Sequence, residues 1–228
     1  NTDGTVSVID TTTNAVTGTI TVGTNPYGIA FDSTNNRMYV ANSADDTVSV
    51  IDTTTNAVTG PLAVGAGPWG IAFDSANNRM YVVNFTDDTV SVIDTATNAV
   101  TGTITVGNGP EGIAFDSANN RMYVTNFTDG TVSVIDTTTN AVTGPLTVGT
   151  GPADIAFDSA NNRMYVTNYI DGTVSVIDTA TNAVTGPLTV GAGAYGIAFD
   201  SANNRMYVAN NTDGTVSVID TTTNAVTG

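Results

Sequence analysis

Three observations predict an all-β fold, a β-propeller built from four-stranded blades. The sequence repeats every 42 residues, each period holds four short apolar runs bounded by turn residues, and the last run tolerates proline. The five Arg, at 37, 79, 121, 163 and 205, are each 42 residues apart. Thr47-Val48-Ser49-Val50-Ile51-Asp52, Ile71-Ala72-Phe73-Asp74 and Arg79-Met80-Tyr81-Val82 recur at the same step. The 228 residues make five periods plus 18, and residues 1 to 18 are identical to residues 211 to 228.

Within the unit Asn25 to Ala66 the runs read as strand A, Gly28 to Asp32, strand B, Arg37 to Asn42, strand C, Thr47 to Asp52, and strand D, Ala57 to Val64. Strands A and C are apolar on both alternating faces, so both faces need cover. The A–B connection (Ser33-Thr34-Asn35-Asn36), the B–C connection (Asp45-Asp46, Asp-Gly in later copies) and the C–D connection (Thr53 to Asn56) have hairpin length. Pro61, Pro145 and Pro187 fall in D, which suits an outer edge strand because proline cannot donate to a ladder. Strand A is then innermost. The blades run 25–66, 67–108, 109–150 and 151–192, with a last blade in 193–228. Five A–B hairpins face six C–D segments, so one C–D segment is spare. If the ring closes, the expected closure is strand exchange, in which residues 3–24 complete the blade begun by 193–210 and leave 211–228 redundant, to hang free, pair with another chain or mark the cut end of a longer array.

Composition removes several functions. Net charge is −16, with 21 acidic residues against five Arg and neither Lys nor His. A phosphate-tracking nucleic-acid binder needs a basic footprint that this chain lacks. Without His, Cys or Lys there is no Ser-His-Asp triad, Cys nucleophile, His/Cys metal site or Schiff-base lysine. No cofactor is expected. No run approaches the roughly 20 apolar residues that span a bilayer, and no charged-then-apolar leader opens the sequence. The chain therefore reads as soluble. Its start at Asn1 reads as a processed product or an excerpt.

The tetrapeptides Tyr123-Val124-Thr125-Asn126 and Tyr165-Val166-Thr167-Asn168, with close copies at Tyr39, Tyr81 and Tyr207, resemble those of the YVTN β-propeller repeats of archaeal and bacterial surface-layer-like proteins. The resemblance includes Pro-x-Gly-Ile-Ala-Phe-Asp before the tetrapeptide and Thr-Val-Ser-Val-Ile-Asp-Thr after it, and so spans nearly the whole chain. It implies a propeller that is secreted or displayed on the cell surface and serves binding, adhesion or envelope structure without a catalytic centre. Fold alone does not assign function.

Near-identical repeats act as an internal control, because positions that must be the same for packing are the same. The most variable columns are Thr24/Ala66/Asn108/Thr150/Ala192, Tyr27/Trp69/Glu111/Ala153/Tyr195, Ala41/Val83/Thr125/Thr167/Ala209 and Ser43/Phe85/Phe127/Tyr169/Asn211. They fall in the D–A connection and around the B–C turn, which leave a meander on the same side. Ten aromatics are repeat copies, the A-strand Phe and the B-strand Tyr, and read as core. The other six, Tyr27, Trp69, Tyr195, Phe85, Phe127 and Tyr169, all lie on the variable side, with the single Glu, Glu111, and with Asp154, which replaces a repeat Gly. These eight are the candidate ligand-binding residues. Clustered aromatics with a few carboxylates suit a sugar or a peptide.

The sequons at Asn84, Asn126 and Asn210 are candidate glycosylation sites, although an Asn ends strand B in every repeat and so also fits a turn role. The segment Asp32-Ser33-Thr34-Asn35-Asn36-Arg37 is oxygen-rich but lacks EF-hand spacing and reads as turn chemistry, with Arg37 pairing Asp32 or an Asp of the next blade. Glu111 and Asp154 alone do not make a hydrolase. No metal site is expected. The sequence thus predicts a non-enzymatic extracellular scaffold or binding module, with protein or carbohydrate as partner. Two alternatives are an envelope array or fibre joined through the spare C–D hairpin, and an engineered repeat protein without selected activity.

Overall fold

The computed structural model describes residues 3–228, and every regular element among them is a β-strand. The chain divides into two compact units, Asn1–Ile104 and Thr105–Gly228. The first holds a two-stranded sheet, β1 (Thr5–Asp10) and β2 (Ala15–Thr21), and two four-stranded sheets. These are β3 (Pro26–Asp32), β4 (Arg37–Asn42), β5 (Thr47–Asp52) and β6 (Val58–Ala63), then β7 (Pro68–Asp74), β8 (Arg79–Asn84), β9 (Thr89–Asp94) and β10 (Ala99–Thr105), whose last residue enters the second unit. The second unit has three four-stranded sheets. They are β11 (Pro110–Asp116), β12 (Arg121–Asn126), β13 (Thr131–Asp136) and β14 (Val142–Thr147); β15 (Pro152–Asp158), β16 (Arg163–Asn168), β17 (Thr173–Asp178) and β18 (Val184–Thr189); and β19 (Ala194–Asp200), β20 (Arg205–Asn210), β21 (Thr215–Asp220) and β22 (Ala225–Val226).

Each sheet is an antiparallel meander in sequence order, with Arg37 opposite Asp32 and Asp52, and Tyr39 opposite Val50. The innermost strand starts two residues earlier than expected, at Pro26, because an irregularity between Pro26 and Ile29 lets the backbone rejoin the ladder. Turn residues do what their chemistry allows. Asn36, Asp46 and Asn56 take positive φ, and Gly130, Gly172 and Gly214 occupy the Asp46 place in later copies. Asp32 Oδ1 accepts the N–H groups of Thr34 (2.9 Å) and Asn35 (3.1 Å), and its Oδ2 accepts from Asn35 Nδ2, so the turn consumes the oxygens that looked available to a metal.

Sheets of one unit stack through complementary faces. Tyr39, Ala41, Val48 and Val50 of one sheet bury against Ile71, Met80, Val82 and Ile93 of the next, and the same contact recurs twice in the second unit. A polar staple accompanies it: Tyr39 Oη donates to Asn98 Oδ1 at 2.6 Å, and Tyr123 to Asn182 at 2.7 Å. Arg37 Nη1 donates to the Thr95 carbonyl at 3.1 Å, and Arg121 to that of Thr179 at 3.0 Å, so these guanidiniums bind backbone of the following repeat.

Two expectations need correction. The last sheet is completed by β21, paired in register with β20, and not by residues 3–24, whose β1 and β2 form a sheet of their own. The local copy is adjacent in sequence and closes through a four-residue turn, whereas exchange has no such connection. The repeat aromatics are also not uniformly core. Tyr39, Tyr81, Tyr123 and Tyr165 are fully buried, but Tyr207 and Phe31 are exposed.

Candidate functional site

Two sets of hydrogen bonds hold the D–A and B–C connections together on one side of each sheet. The B–C turn amide donates to the D–A carbonyl in every repeat, as in Ser43 to Asn25 (3.0 Å), Phe85 to Gly67 (2.9 Å) and Tyr169 to Gly151 (2.8 Å). In return the turn Asp accepts a D–A amide: Asp45 from Thr24, Asp87 from Ala66, Asp129 from Asn108, Asp171 from Thr150 and Asp213 from Ala192, at 2.6 to 2.8 Å. The two variable columns are thereby fixed side by side on repeat scaffolding.

That scaffold gathers the six unrepeated aromatics into two clusters, one in each unit. In the first, Tyr27 meets Trp69 edge to face with centroids 4.5 Å apart, and Trp69 meets Phe85 at 5.1 Å. In the second, Phe127 lies 6.4 Å from Tyr169, and Tyr169 meets Tyr195 edge to face at 6.0 Å. These are favourable quadrupolar arrangements. Tyr27 is exposed and the other five rings are half-buried, so each cluster keeps ring surface toward solvent.

Ile170, 61% exposed, was missed in the sequence reading. It sits against Gly151 beside Phe127 and extends the second cluster. The signal was present, since its column otherwise holds Ala44, Thr86, Thr128 and Thr212.

The carboxylates behave differently from the rings. Glu111 is 8% exposed and its Oε2 has no hydrogen-bond partner. Burial, with the nearby Asp154 charge, pushes its carboxyl up to about 7. Asp154 keeps some exposed surface, but protein surrounds its carboxylate, and this burial raises its carboxyl too. Its oxygens accept from Ile155 N–H (2.8 Å) and Ile197 N–H (3.1 Å), so it ties β15 to β19. Glu111 is thus an inside residue rather than part of an exposed contact surface.

In the tetrapeptide's third column Ala41, Val83, Thr125 and Thr167 are fully buried, whereas Ala209 is exposed. Thr125 Oγ1 donates to the Ala153 carbonyl (2.9 Å) and accepts Gly112 N–H (2.8 Å), and Thr167 repeats this with Tyr195 and Asp154. Those hydroxyls join each sheet to the next beneath the variable loops. The sequon residues Asn84, Asn126 and Asn210 are also buried. Each Nδ2 donates to a Thr and a Ser of the next strand at about 3.0 Å, as Asn42 and Asn168 do without a sequon. A glycan needs that nitrogen exposed, so the turn role is the one observed.

No protein-family model and no curated protein matches the sequence. Among solved structures, the chain is similar to Kuenenia stuttgartiensis hydrazine synthase, with a TM-score of 0.86 and 22% identity over 96% of this chain and 71% of that one. The fold is a β-propeller fold. At that identity the likeness carries the architecture and none of the synthase chemistry.

Proposed function

We propose that the chain is a non-enzymatic extracellular β-propeller scaffold whose D–A and B–C loops form a binding face for a protein or a carbohydrate. In this reading each four-stranded sheet is a blade, the repeated residues are frame, and the ring clusters make the contact. The observation that carries it is the pair of solvent-facing aromatic clusters, Tyr27–Trp69–Phe85 and Phe127–Tyr169–Tyr195, on otherwise uniform repeats. Rings held by a rigid frame stack on a flat apolar ligand with little loss of conformational freedom. The extracellular placement rests on the resemblance of the repeats to surface-layer-like sequences. Probing the wild type and the Trp69→Ala and Tyr195→Ala variants with immobilised glycans and extended peptides tests the reading. At least a tenfold loss of the wild type's binding, with an unchanged circular dichroism spectrum, is expected; equal binding by both variants refutes it.

A further inference from the structure

Thr173 and Ser175 stand two residues apart in β17, so their hydroxyls share one face of the strand. The buried Asn168 Nδ2 donates to each of them at 3.0 Å, and Asn168 Oδ1 accepts the Gly149 N–H at 3.1 Å. The amide thus holds both hydroxyls by their oxygens, and each hydroxyl keeps its own proton to give. The two groups line a cleft of about 360 Å³ in the second unit, between the end of β14 and the strands β17 and β18. Asp171, Val148, Val184 and Pro187 form its other walls. Asp171 Oδ2 accepts the Thr150 N–H at 2.6 Å, which leaves Oδ1 as an acceptor facing solvent. Val184 and Pro187 are exposed and give the cleft an apolar floor. None of the six unrepeated aromatics reaches it.

These walls define a ligand. Two hydroxyl donors and one carboxylate acceptor at fixed positions call for a molecule that both accepts and donates, beside a C–H surface that covers proline and valine. An anion is repelled by Asp171 and by a net charge of −16, and an ammonium has nothing to accept the hydroxyl protons. An extended peptide needs consecutive ladder bonds, and Pro187 interrupts the strand that would provide them. A neutral sugar ring meets every requirement, with hydroxyls at its edge and C–H groups on its face. The volume lies at the low end for small-molecule sites, which suits a single ring.

The same cleft recurs one repeat earlier, with about 460 Å³ lined by Asp129, Thr131, Ser133 and Pro145 among others. There Asn108 Nδ2 donates to Asp129 Oδ1 at 2.8 Å, so the free acceptor is consumed. The repeat therefore supplies two frames, and the change from Asn108 to Thr150 leaves only the second with its full set of groups.

We infer that the cleft at Asp171, Thr173, Ser175 and Pro187 is a binding site for a neutral hexose residue of a saccharide. It is separate from the ring clusters and goes beyond the function proposed for them. Saturation-transfer NMR titrations of the full chain with the methyl glycosides of glucose, galactose and mannose test it. Saturable binding of at least one, with a dissociation constant in the millimolar range, is expected. Asp171→Asn keeps an oxygen for the Thr150 N–H but turns the free acceptor into a donor, and should weaken binding at least tenfold. Pro187→Thr removes the floor and installs the residue that the repeat itself carries at Thr103, so the fold is kept; it should weaken binding several-fold. Asn108→Thr frees Asp129 and should add a second site of similar affinity. Circular dichroism checks each fold. Trp69→Ala and Tyr195→Ala should leave the affinity for the glycoside unchanged, so this site and the ring-cluster reading fail separately. No saturable binding of any of the three glycosides overturns the inference, and a blocked Gly-Ser peptide bound in their place makes the cleft a peptide site. Binding that is equal in wild type, Asp171→Asn and Pro187→Thr, or that is lost in Trp69→Ala or Tyr195→Ala instead, overturns the placement in this cleft.

Discussion

Replacing Glu111 by Gln should make the protein more stable, and only at neutral and alkaline pH. The carboxyl is lifted from 4.5 to about 7 by burial and by Asp154. At 1.36 kcal/mol per pH unit, the ionised form costs the folded chain about 3 kcal/mol. The folded state holds the proton more tightly than the unfolded one, so this contribution is fully present below about pH 4.5 and is lost as pH rises through about 7. Gln cannot ionise and shows no such loss. The two proteins should therefore unfold at equal urea concentration near pH 4.5 and separate progressively up to pH 8. There the variant is ahead by about 2 to 3 kcal/mol, or about 4 to 12 °C in melting temperature for a chain of this size. A separation that is constant with pH, or that grows toward acid, refutes the claim that Glu111 is buried beside a second carboxylate. The C–D turn carboxylates Asp52, Asp136, Asp178 and Asp220 act with the opposite sign. Backbone N–H groups of the following Thr hold them below the usual range, so their contribution is lost as pH falls below about 4 in both proteins, which leaves the comparison intact.

Tyr123→Phe removes the hydroxyl that donates to Asn182 at 2.7 Å and should cost about 1 kcal/mol in urea unfolding, while Tyr207→Phe, at the open face, should cost nothing measurable. Gly149→Ala puts a Cβ 2.5 Å from Asn168 Cγ and should cost about 1 to 3 kcal/mol, whereas at Gly102 a Cβ meets nothing within 4 Å and the same change should stay within about 0.5 kcal/mol.

Strand order, turn positions and the pairing of loops on one side were all legible from the 42-residue period, because each is a local consequence of alternation, proline and Asn or Asp placement. The six unrepeated aromatics were legible as a set through the internal comparison of repeats. Their division into two clusters was not, since ring contacts such as Trp69 with Tyr27 depend on how successive sheets stack. Three other columns misled. Asn84 and its equivalents look like exposed glycan acceptors but are buried, Thr125 and Thr167 stand in a variable column but are buried hydroxyl ties, and Glu111 looks like a ligand-binding charge on the variable side but lies inside. In each case one sequence position has two solvent environments available, and the neighbouring sheet chooses between them.

The sequence by itself determined the repeat, the strands, the turns and the excluded chemistries. It also placed two identical candidates, residues 3–18 and 213–228, in competition for the edge of β20. Only the tertiary structure decided between them, because identical strands make the same ladder and differ in their connections: β21 reaches β20 through one tight turn, and β1 is tied to β2 and the sheet after it. The same stacking decided which aromatics are covered. Within each unit, the Tyr of the second strand is buried where the next sheet packs on it.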